Sequence, residues 1–378
     1  MNDDSISPDA PLRGVKVVEI AGLGPLPICA MMLADLGASV IRVERPGQPD
    51  LGMGVDTGRS VMHRGRPGLV IDLKSDAGRV TLTRLIAAAD VLVEGMKPGA
   101  MERLGFGPAD CSAVNPRLVF GRLSGWGRKG PMAAEAGHDI NYAASAGLLG
   151  LIGEAGRAPL PPLALGADVP GGLLLALGVV AALRARGETG EGAVVDQSLA
   201  GAAGLSAAIF RGLEAMGRWP GGRGKNTLDG GAPYYRVYQT ADQRYLAVGA
   251  IEARFYAQLV EGLGLSEGVP PRDDRANWPK IAATFAARFR TRTCAEWEET
   301  FRGTDACVTP VLDLGEAAAR GVPPVAQLYG YAQSLPQPAL GPLGADAPVP
   351  ASLAEPPAPE AVLASWGVDL GAPGGELK

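Results

Sequence analysis

Histidine is the rarest reactive side chain in this sequence of 378 residues, because only His63 and His138 occur. Cysteine is almost as scarce, and no two cysteines form a C-x-x-C pair. The four are Cys29, Cys111, Cys294 and Cys307. Such scattered thiols suggest neither a disulfide framework nor a zinc site. We therefore expect no bound metal.

An excess of positive charge and a membrane-length apolar run are also missing. The formal net charge is -5, which argues against nonspecific binding of nucleic acid. The longest apolar run, residues 169–183, is short for a bilayer and contains Pro170. Residues 1–14 are acidic and contain proline, unlike a signal peptide. We expect a cytoplasmic protein that neither inserts into a membrane nor binds nucleic acid.

Apolar residues are abundant instead. They make up 47% of the chain against 20% charged residues, so the chain can bury a large core. Glycine (54) and proline (32) are frequent, and arginine outnumbers lysine. This composition is typical of a high-GC genome, and we expect a bacterial source.

The first 130 residues alternate between short β-branched runs and helical patterns. Strands are expected at 15–20, 39–43, 69–73, 91–94 and 118–123, with helices at 28–36 and 77–89. Buried strands separated by helices predict a parallel sheet with both faces covered. The fold class is therefore α/β, with a Rossmann-like first part.

The second half has a different character. Residues 234–239 and 245–250 flank Thr-Ala-Asp-Gln-Arg and predict a hairpin, followed by helical patterns. We expect four parts along the chain: a large α/β domain at 1–213, a linker at 214–231, a small α+β domain at 232–330, and a tail at 331–378 that returns to the large domain.

A partial dinucleotide motif follows the first predicted strand. Gly22 and Gly24 are followed by Glu44 about 20 residues later, as in nicotinamide-binding folds. Pro27 occupies the third glycine position, where close packing of helix and strand needs glycine. A turn into a helix with Pro27 in its first turn explains the pattern better.

Two side chains with acid–base capacity begin predicted helices. His138 lies in Gly137-His-Asp-Ile-Asn-Tyr142, where a helix start favours neutral imidazole. Asp168 precedes an apolar helix and is either its N-cap or an exposed nucleophile or acid–base group. A lone histidine is more often structural, so both alternatives stay open on local grounds.

Two further groups lie at strand ends. Glu252 ends the second hairpin strand and either starts the next helix or orients an imidazole. Arg42, Arg45 and Lys74 provide cations that suit phosphate, although surface charges are common.

Taken together, these stretches resemble the α-methylacyl-CoA racemases, within the class III CoA-transferase superfamily. The resemblance runs from about residue 11 to 318. It is carried by Leu12-Arg-Gly-Val-Lys-Val-Val-Glu-Ile, Val43-Glu-Arg-Pro-Gly, Ile71-Asp-Leu-Lys, Gly99-Ala-Met-Glu-Arg-Leu-Gly, Arg122-Leu-Ser-Gly-Trp-Gly, Gly137-His-Asp-Ile-Asn-Tyr, Asn226-Thr-Leu-Asp-Gly-Gly-Ala-Pro-Tyr-Tyr and Val248-Gly-Ala-Ile-Glu. Transferases of the superfamily share Asp168 but typically lack the histidine of the sixth stretch.

The resemblance implies an isomerase that inverts the carbon α to a thioester. One group must remove a proton and a second must return one to the opposite face, so two groups with tuned pKa values are needed. We expect His138 and Asp168 to be these groups and Glu252 to orient His138. A backbone N–H or helix N-terminus would support the enolate.

The resemblance also implies where the substrate binds and how the chain assembles. The CoA part of the acyl-CoA would meet Arg42, Arg45 and the segment Ile71, Asp72, Leu73 and Lys74, with its pantetheine end near Gly137, Asp139, Ile140, Asn141 and Tyr142. The family forms an interlocked homodimer, so Glu252 would come from the same chain or from its partner. No metal or redox cofactor is expected, since CoA is part of the substrate.

Two other functions remain as alternatives. One is a CoA-transferase that uses Asp168 as nucleophile, and the other is an acyl-CoA-binding protein without activity. Sterol side chains, branched fatty acids and arylpropionates would all present the same α-methyl thioester, so the acyl group stays open. The expected role is in lipid degradation.

Overall fold

The computed structural model describes residues 10–47, 60–320, 325–327, 334–336 and 357–369. They belong to two compact units. The large unit comprises the described residues within Met1–Ala146, Leu163–Ser206 and Gly321–Lys378. The small unit comprises Gly147–Pro162 and Ala207–Arg320.

A six-stranded parallel sheet forms the centre of the large unit. Its strands are β1 (Lys16–Ile20), β2 (Ser39–Glu44), β3 (Gly68–Val70), β4 (Val91–Glu94), β5 (Val119–Ser124) and β6 (Val194–Ser198). They lie in the order β3-β2-β1-β4-β5-β6, with parallel pairing throughout. The predicted α/β class is confirmed, and the strand order reverses between β1 and β4.

Helices cover both faces of this sheet. They are α1 (Pro25–Asp35), α2 (Asp76–Ala88), α3 (Ala100–Arg103), α4 (Pro108–Val114), α5 (Asp139–Ser145), α6 (Asp168–Thr189) and α7 (Leu199–Ser206). Leu33 of α1 and Leu175 of α6 are fully buried on one face. Leu82 and Leu85 of α2 are fully buried on the other. Burying both faces is what continuous apolar strands require.

Two elements differ from the sequence prediction. The third strand ends at Val70 rather than at residue 73, because Asp72 and Ser75 form the turn that begins α2. Asp72 Oδ1 accepts the Lys74 N–H (3.0 Å) and Ser75 Oγ accepts the Gly78 N–H (3.0 Å). Helix α6 continues beyond the apolar run to Thr189, with an exposed Arg184–Glu188 pair in its last turns.

Helix α6 is long and apolar enough to span a membrane by length and composition. Leu175, Ala176 and Val179 nevertheless pack into the core of the large unit, where α6 contacts α1 and the sheet. One side of α6 is therefore part of this core, whereas Leu173 and Leu177 are exposed.

The described part of the predicted tail consists of β11 (Ser334–Pro336), which pairs antiparallel with β10 (Val325–Gln327), and α13 (Pro359–Trp366). Val362, Leu363 and Trp366 of α13 are buried in the α2-side core, and Trp366 Nε1 donates to Ser39 Oγ at 2.9 Å. Residues 331–333, 337–356 and 370–378 lie outside the described part of the chain.

The small unit combines a three-stranded antiparallel sheet with helices. Its strands are β7 (Tyr235–Gln239), β8 (Tyr245–Gly249) and β9 (Val308–Pro310), and its helices are α8 (Ala208–Ala215), α9 (Ala253–Gly262), α10 (Trp278–Phe289), α11 (Cys294–Phe301) and α12 (Leu314–Arg320). The predicted hairpin is confirmed, with Tyr235 opposite Gly249 and Gln239 opposite Tyr245. Trp297, Phe285 and Phe289 are fully buried in its core.

A buried ion pair connects β1 to the loop before β3. Arg66 Nε donates to Glu19 Oε2 at 2.9 Å, and neither side chain has exposed surface. Arg66 also donates to the carbonyls of Met62 (2.6 Å) and Pro27 (3.3 Å). Burial lowers the pKa of the Arg66 guanidinium, and Glu19 opposes that shift. The pair therefore fastens the 60–67 loop and the start of α1 to the central strand.

We expect Glu19→Ala to lower the free energy of unfolding by about 3–5 kcal/mol, because Arg66 would remain buried without its partner. Urea unfolding at neutral pH measures this. Glu188→Ala, which breaks the exposed pair on α6, is the control and should leave the midpoint nearly unchanged. A Glu19→Ala midpoint equal to that of Glu188→Ala would contradict the stabilising role of the pair.

Candidate active site

The starts of α5 and α6 meet through one carboxylate. Asp139, the first residue of α5, accepts the backbone N–H of Ala167 (2.6 Å) and of Asp168 (2.9 Å) on its Oδ1 atom. Asp139 is only 8% exposed, so these hydrogen bonds are shielded from water. As a result, His138, which precedes α5, and Asp168, which begins α6, lie close together.

His138 occupies the N-cap position of α5 in an extended conformation and is exposed. Its own N–H donates to Asn141 Oδ1 at 3.1 Å, which closes the first turn of the helix. The imidazole is therefore attached to a fixed backbone and remains accessible. These features suit a group that exchanges protons with a ligand.

Tyr142 fixes the peptide before His138. Its hydroxyl donates to the Gly137 carbonyl at 2.6 Å, and its ring packs edge-on against Trp126 with centroids 4.7 Å apart. A Cβ atom at Gly137 would lie 2.8 Å from the Tyr142 ring, so no larger residue fits there. Glycine at position 137 is thus required by close packing.

Asp168 lies against the turn that follows β1. A Cβ atom at Gly24 would be 3.0 Å from Asp168 Oδ2, so the carboxylate adjoins this glycine. Gly24 has φ +62, a conformation that glycine adopts readily. The site therefore lies at the carboxyl end of β1, beside the point where the strand order reverses, which is where open α/β sheets bind ligands.

The alternative that Asp168 caps its own helix is wrong. Ala167 occupies the N-cap position, and Asp168 is the first helical residue. Burial raises the pKa of the Asp168 carboxyl to about 6, the negative charge of Asp139 adds to this, and His138 opposes it. A carboxyl group with this pKa is able to accept and return a proton near neutral pH.

Glu252 lies in the small unit, at the N-cap position of α9. Its backbone carbonyl accepts the Tyr256 N–H at 2.9 Å. Within the described range 60–320 its exposed carboxylate makes no capping hydrogen bond to α9. Glu252 therefore starts α9, which was one of the two predicted alternatives. It does so through its backbone carbonyl and not through its carboxylate. Its relation to His138 stays a prediction.

The residues expected to bind CoA have different surroundings. Arg42 is buried and its Nε donates to Glu44 Oε1 at 2.7 Å, while its Nη1 donates to the Arg66 carbonyl. Arg45 and Lys74 are exposed and follow the carboxyl ends of two neighbouring parallel strands, β2 and β3. Of the three expected cations, Arg45 and Lys74 have the exposure that an anionic ligand needs.

The other expected binding residues divide in the same way. Ile71 is buried, Leu73 is half-buried, and Asp72 forms the turn before α2. Gly137, Asp139, Asn141 and Tyr142 make the internal contacts described above, whereas Ile140 is 41% exposed. CoA binding by these residues stays a prediction.

Sequence reasoning missed a charged cluster at the carboxyl ends of β4 and β5. Glu94 is buried, its Oε2 accepts the Met96 N–H (2.7 Å), and burial raises its pKa to about 7. Arg128 lies near it and pairs with Glu102, while Arg122 pairs with Asp196 (2.7 Å). The signal was available, since Glu94 and Arg122 are charges at the ends of buried strands. Among the described residues no group of His, Cys, Asp or Glu is arranged to hold a metal ion.

Known proteins resemble this chain in sequence. The family model described as CoA-transferase family III matches residues 12–360. The α-methylacyl-CoA racemase of Mus musculus is 49% identical over 81% of this chain and 79% of its own, and that of Homo sapiens is 47% identical over 81% and 78%. The acetyl-CoA:oxalate CoA-transferase of Acetobacter aceti is 30% identical over 82% and 83%.

A solved structure resembles the fold. A CAIB/BAIF family protein from Brucella suis has a TM-score of 0.78 over 95% of this chain and 99% of its own, at 24% identity. At that identity the likeness shows the fold alone.

The raised pKa of Asp168 makes the folded state less stable as the pH rises. Between the unfolded value of 3.8 and the folded value of about 6, the unfolded chain loses its proton first. We expect Asp168→Asn to remove this penalty and to stabilise the protein by about 1 kcal/mol at pH 8, after allowance for partial exposure. The gain should vanish near pH 4.

Urea unfolding at both pH values measures this difference. Asp76→Asn is the matched control, because Asp76 is also the first residue of a helix but is exposed. A gain from Asp168→Asn that is equal at pH 4 and pH 8 would show that the carboxyl pKa is not raised.

Proposed function

Since the chain belongs to CoA-transferase family III, we propose that it is an α-methylacyl-CoA racemase, an isomerase that interconverts (2R)- and (2S)-2-methylacyl-CoA thioesters. Its identity to two proteins of that name is 47–49%, against 30% to a CoA-transferase. One structural observation carries the proposal further. The hydrogen bonds that Asp139 Oδ1 accepts join the start of α5 to the start of α6. The exposed imidazole of His138 therefore lies near the Asp168 carboxyl, whose pKa is raised.

In the proposed reaction, His138 and Asp168 face opposite sides of the α-carbon. The neutral imidazole removes the α-proton of one enantiomer, and the bonding electrons move into the thioester to give an enolate. The protonated Asp168 then returns a proton to the other face. The opposite enantiomer uses the two groups in reverse roles. The reaction in one direction therefore ends with His138 and Asp168 in the protonation states from which the opposite direction starts. Backbone N–H groups would stabilise the enolate.

The proposed roles of the other residues follow from their positions. Glu252, whose carboxylate is exposed at the start of α9, would accept a hydrogen bond from His138 and fix its tautomer. Arg45 and Lys74 would bind the phosphates of CoA at the edge formed by β2 and β3. The reaction as proposed uses no metal or redox cofactor, since CoA enters as part of the substrate.

Assembly and setting are also proposed. We propose a homodimer, supported by the exposed apolar side chains of Leu173, Leu177 and Leu205 on α6 and α7. We further propose that the protein is bacterial and cytoplasmic and acts in the breakdown of branched fatty acids or sterol side chains. A panel of acyl-CoA esters would identify the acyl group.

Deuterium exchange tests the proposed function. Incubation of (2R)-2-methylacyl-CoA in deuterated water should give α-deuterated product and the 2S enantiomer without any second acid. A CoA-transferase would instead require an acceptor acid, and a binding protein would give no turnover. Turnover that depends on an added acid would overturn the racemase proposal.

The two proposed bases should be separable by stereochemistry. We expect His138→Ala to slow exchange of one enantiomer at least about 100-fold and Asp168→Ala to slow the other, because each direction loses its own base. Glu360→Gln, at the exposed start of α13, is the control and should exchange both enantiomers normally. Exchange of both enantiomers at the wild-type rate by His138→Ala would remove His138 from the mechanism.

Mixing variants tests the proposed dimer. If His138 and Glu252 of one site come from different chains, a heterodimer of His138→Ala and Glu252→Ala chains contains one intact site. Co-expression should then restore about a quarter of wild-type activity, since about half the dimers are mixed. If both residues come from one chain, no activity returns.

A further inference from the structure

The strongest feature that the proposed mechanism leaves unused is the carboxylate of Asp139. It lies next to His138 in sequence, yet its hydrogen bonds reach residues 28 and 29 positions later. The Oδ1 atom accepts both N–H groups at the start of α6, at 2.6 Å and 2.9 Å. The family resemblance implies that Asp139 lies near the substrate, but its Oδ1 atom accepts hydrogen bonds from the protein's own backbone.

We propose that Asp139 is a positioning residue, whose carboxylate holds the first residues of α6 and thereby fixes Asp168 opposite His138. This inference rests on the proposed racemase function. It concerns the geometry and charge around Asp168 and assigns no contact with the substrate to Asp139.

The start of α6 needs such a partner. Ala167, at its N-cap, has no side-chain atom that accepts a hydrogen bond, so the N-cap residue itself does not satisfy the first N–H groups of α6. Unpaired N–H groups in a buried position are costly. A negative group also interacts favourably with the positive end of a helix dipole, and α6 is 22 residues long. The Asp139 carboxylate meets both needs.

The second carboxylate oxygen acts through its charge. Asp139 Oδ2 is buried and accepts no hydrogen bond from any described residue. The charge lies close enough to Asp168 to raise its pKa further beyond the effect of burial, while His138 opposes the shift. Tyr142 is the other titratable group near Asp168: burial raises the pKa of its hydroxyl, and the charge of Asp168 adds to this. The backbone of Gly24 faces Asp168 from the α1 side. Asp139 is thus the charged neighbour that keeps Asp168 more basic.

Two substitutions separate position from charge. Asp139→Asn keeps an oxygen that accepts the two N–H groups but removes the charge. Asp139→Ala removes both. Asp110→Asn is the matched control, because Asp110 Oδ2 accepts the Gly107 N–H at the start of α4, a structural contact elsewhere in the large unit.

The first measurement follows exchange of each enantiomer against pH. For Asp139→Asn, we expect the acidic limb of the Asp168-dependent direction to move to lower pH, while kcat at neutral pH changes by less than about 10-fold. For Asp139→Ala, kcat in that direction should fall about 100-fold with little change in KM, since a misplaced base loses rate rather than binding. Asp110→Asn should match the wild type in both.

The second measurement does not depend on activity. The titration of the Asp168 carboxyl by ¹³C NMR should give a lower pKa in Asp139→Asn and the wild-type value in Asp110→Asn. Hydrogen exchange of the Ala167 and Asp168 amides should accelerate at least about 10-fold in Asp139→Ala, because they lose their acceptor.

The outcomes distinguish a failure of the positioning role of Asp139 from a failure of the proposed racemase function. If the wild type exchanges both enantiomers but the Asp139 variants behave like Asp110→Asn in both measurements, the positioning role is wrong and the racemase function stands. If the wild type exchanges neither enantiomer, the proposed function fails. The NMR titration and amide exchange then still decide whether Asp139 holds and tunes Asp168.

Discussion

A helix that begins inside a protein must satisfy its first N–H groups, and this constraint shapes the site. Helix α6 begins at Asp168, and its N-cap residue Ala167 has no polar side chain, so the acceptor comes from the distant residue Asp139. That single contact joins the segment of α5 to α6. It holds the start of α6 beside the start of α5, and the charge of Asp139 adds to the rise in the Asp168 pKa that burial causes first.

The large unit has charged side chains removed from water in two places: between β1 and the 60–67 loop, and at the candidate site. Glu19 and Arg66 neutralise each other in the core and fasten a loop to the central strand. Asp168 has only partial compensation, since Asp139 adds like charge and His138 opposes it. The first arrangement fixes the fold around β1. The second leaves a carboxyl group of raised pKa near the end of that same strand, at a cost in stability above that pKa.

The sequence was sufficient for features that depend on local pattern. The hairpin of β7 and β8 and the parallel sheet follow from alternation and from continuous apolar runs, which local sequence records. Asp168 at the start of α6 was also found, but its local interpretation as a cap was wrong. The true acceptor lies 29 residues earlier, and no spacing rule connects the two positions. The pairing of Arg42 with Glu44 was within reach, because residues two apart in a strand share a face.

The chemistry explains why two neighbouring aspartates take different roles. Both lie near the start of α6, yet Asp139 is buried and occupied by two N–H groups, whereas Asp168 is only partly buried and adjoins Gly24. The Oδ1 atom of Asp139 is occupied by the two N–H groups, and the negative charge of Asp139 acts on Asp168. The other carboxyl, facing that fixed charge, becomes easier to protonate. A proposed racemase needs such a difference, because its acid must regain a proton in every cycle while the groups that hold it in place do not change.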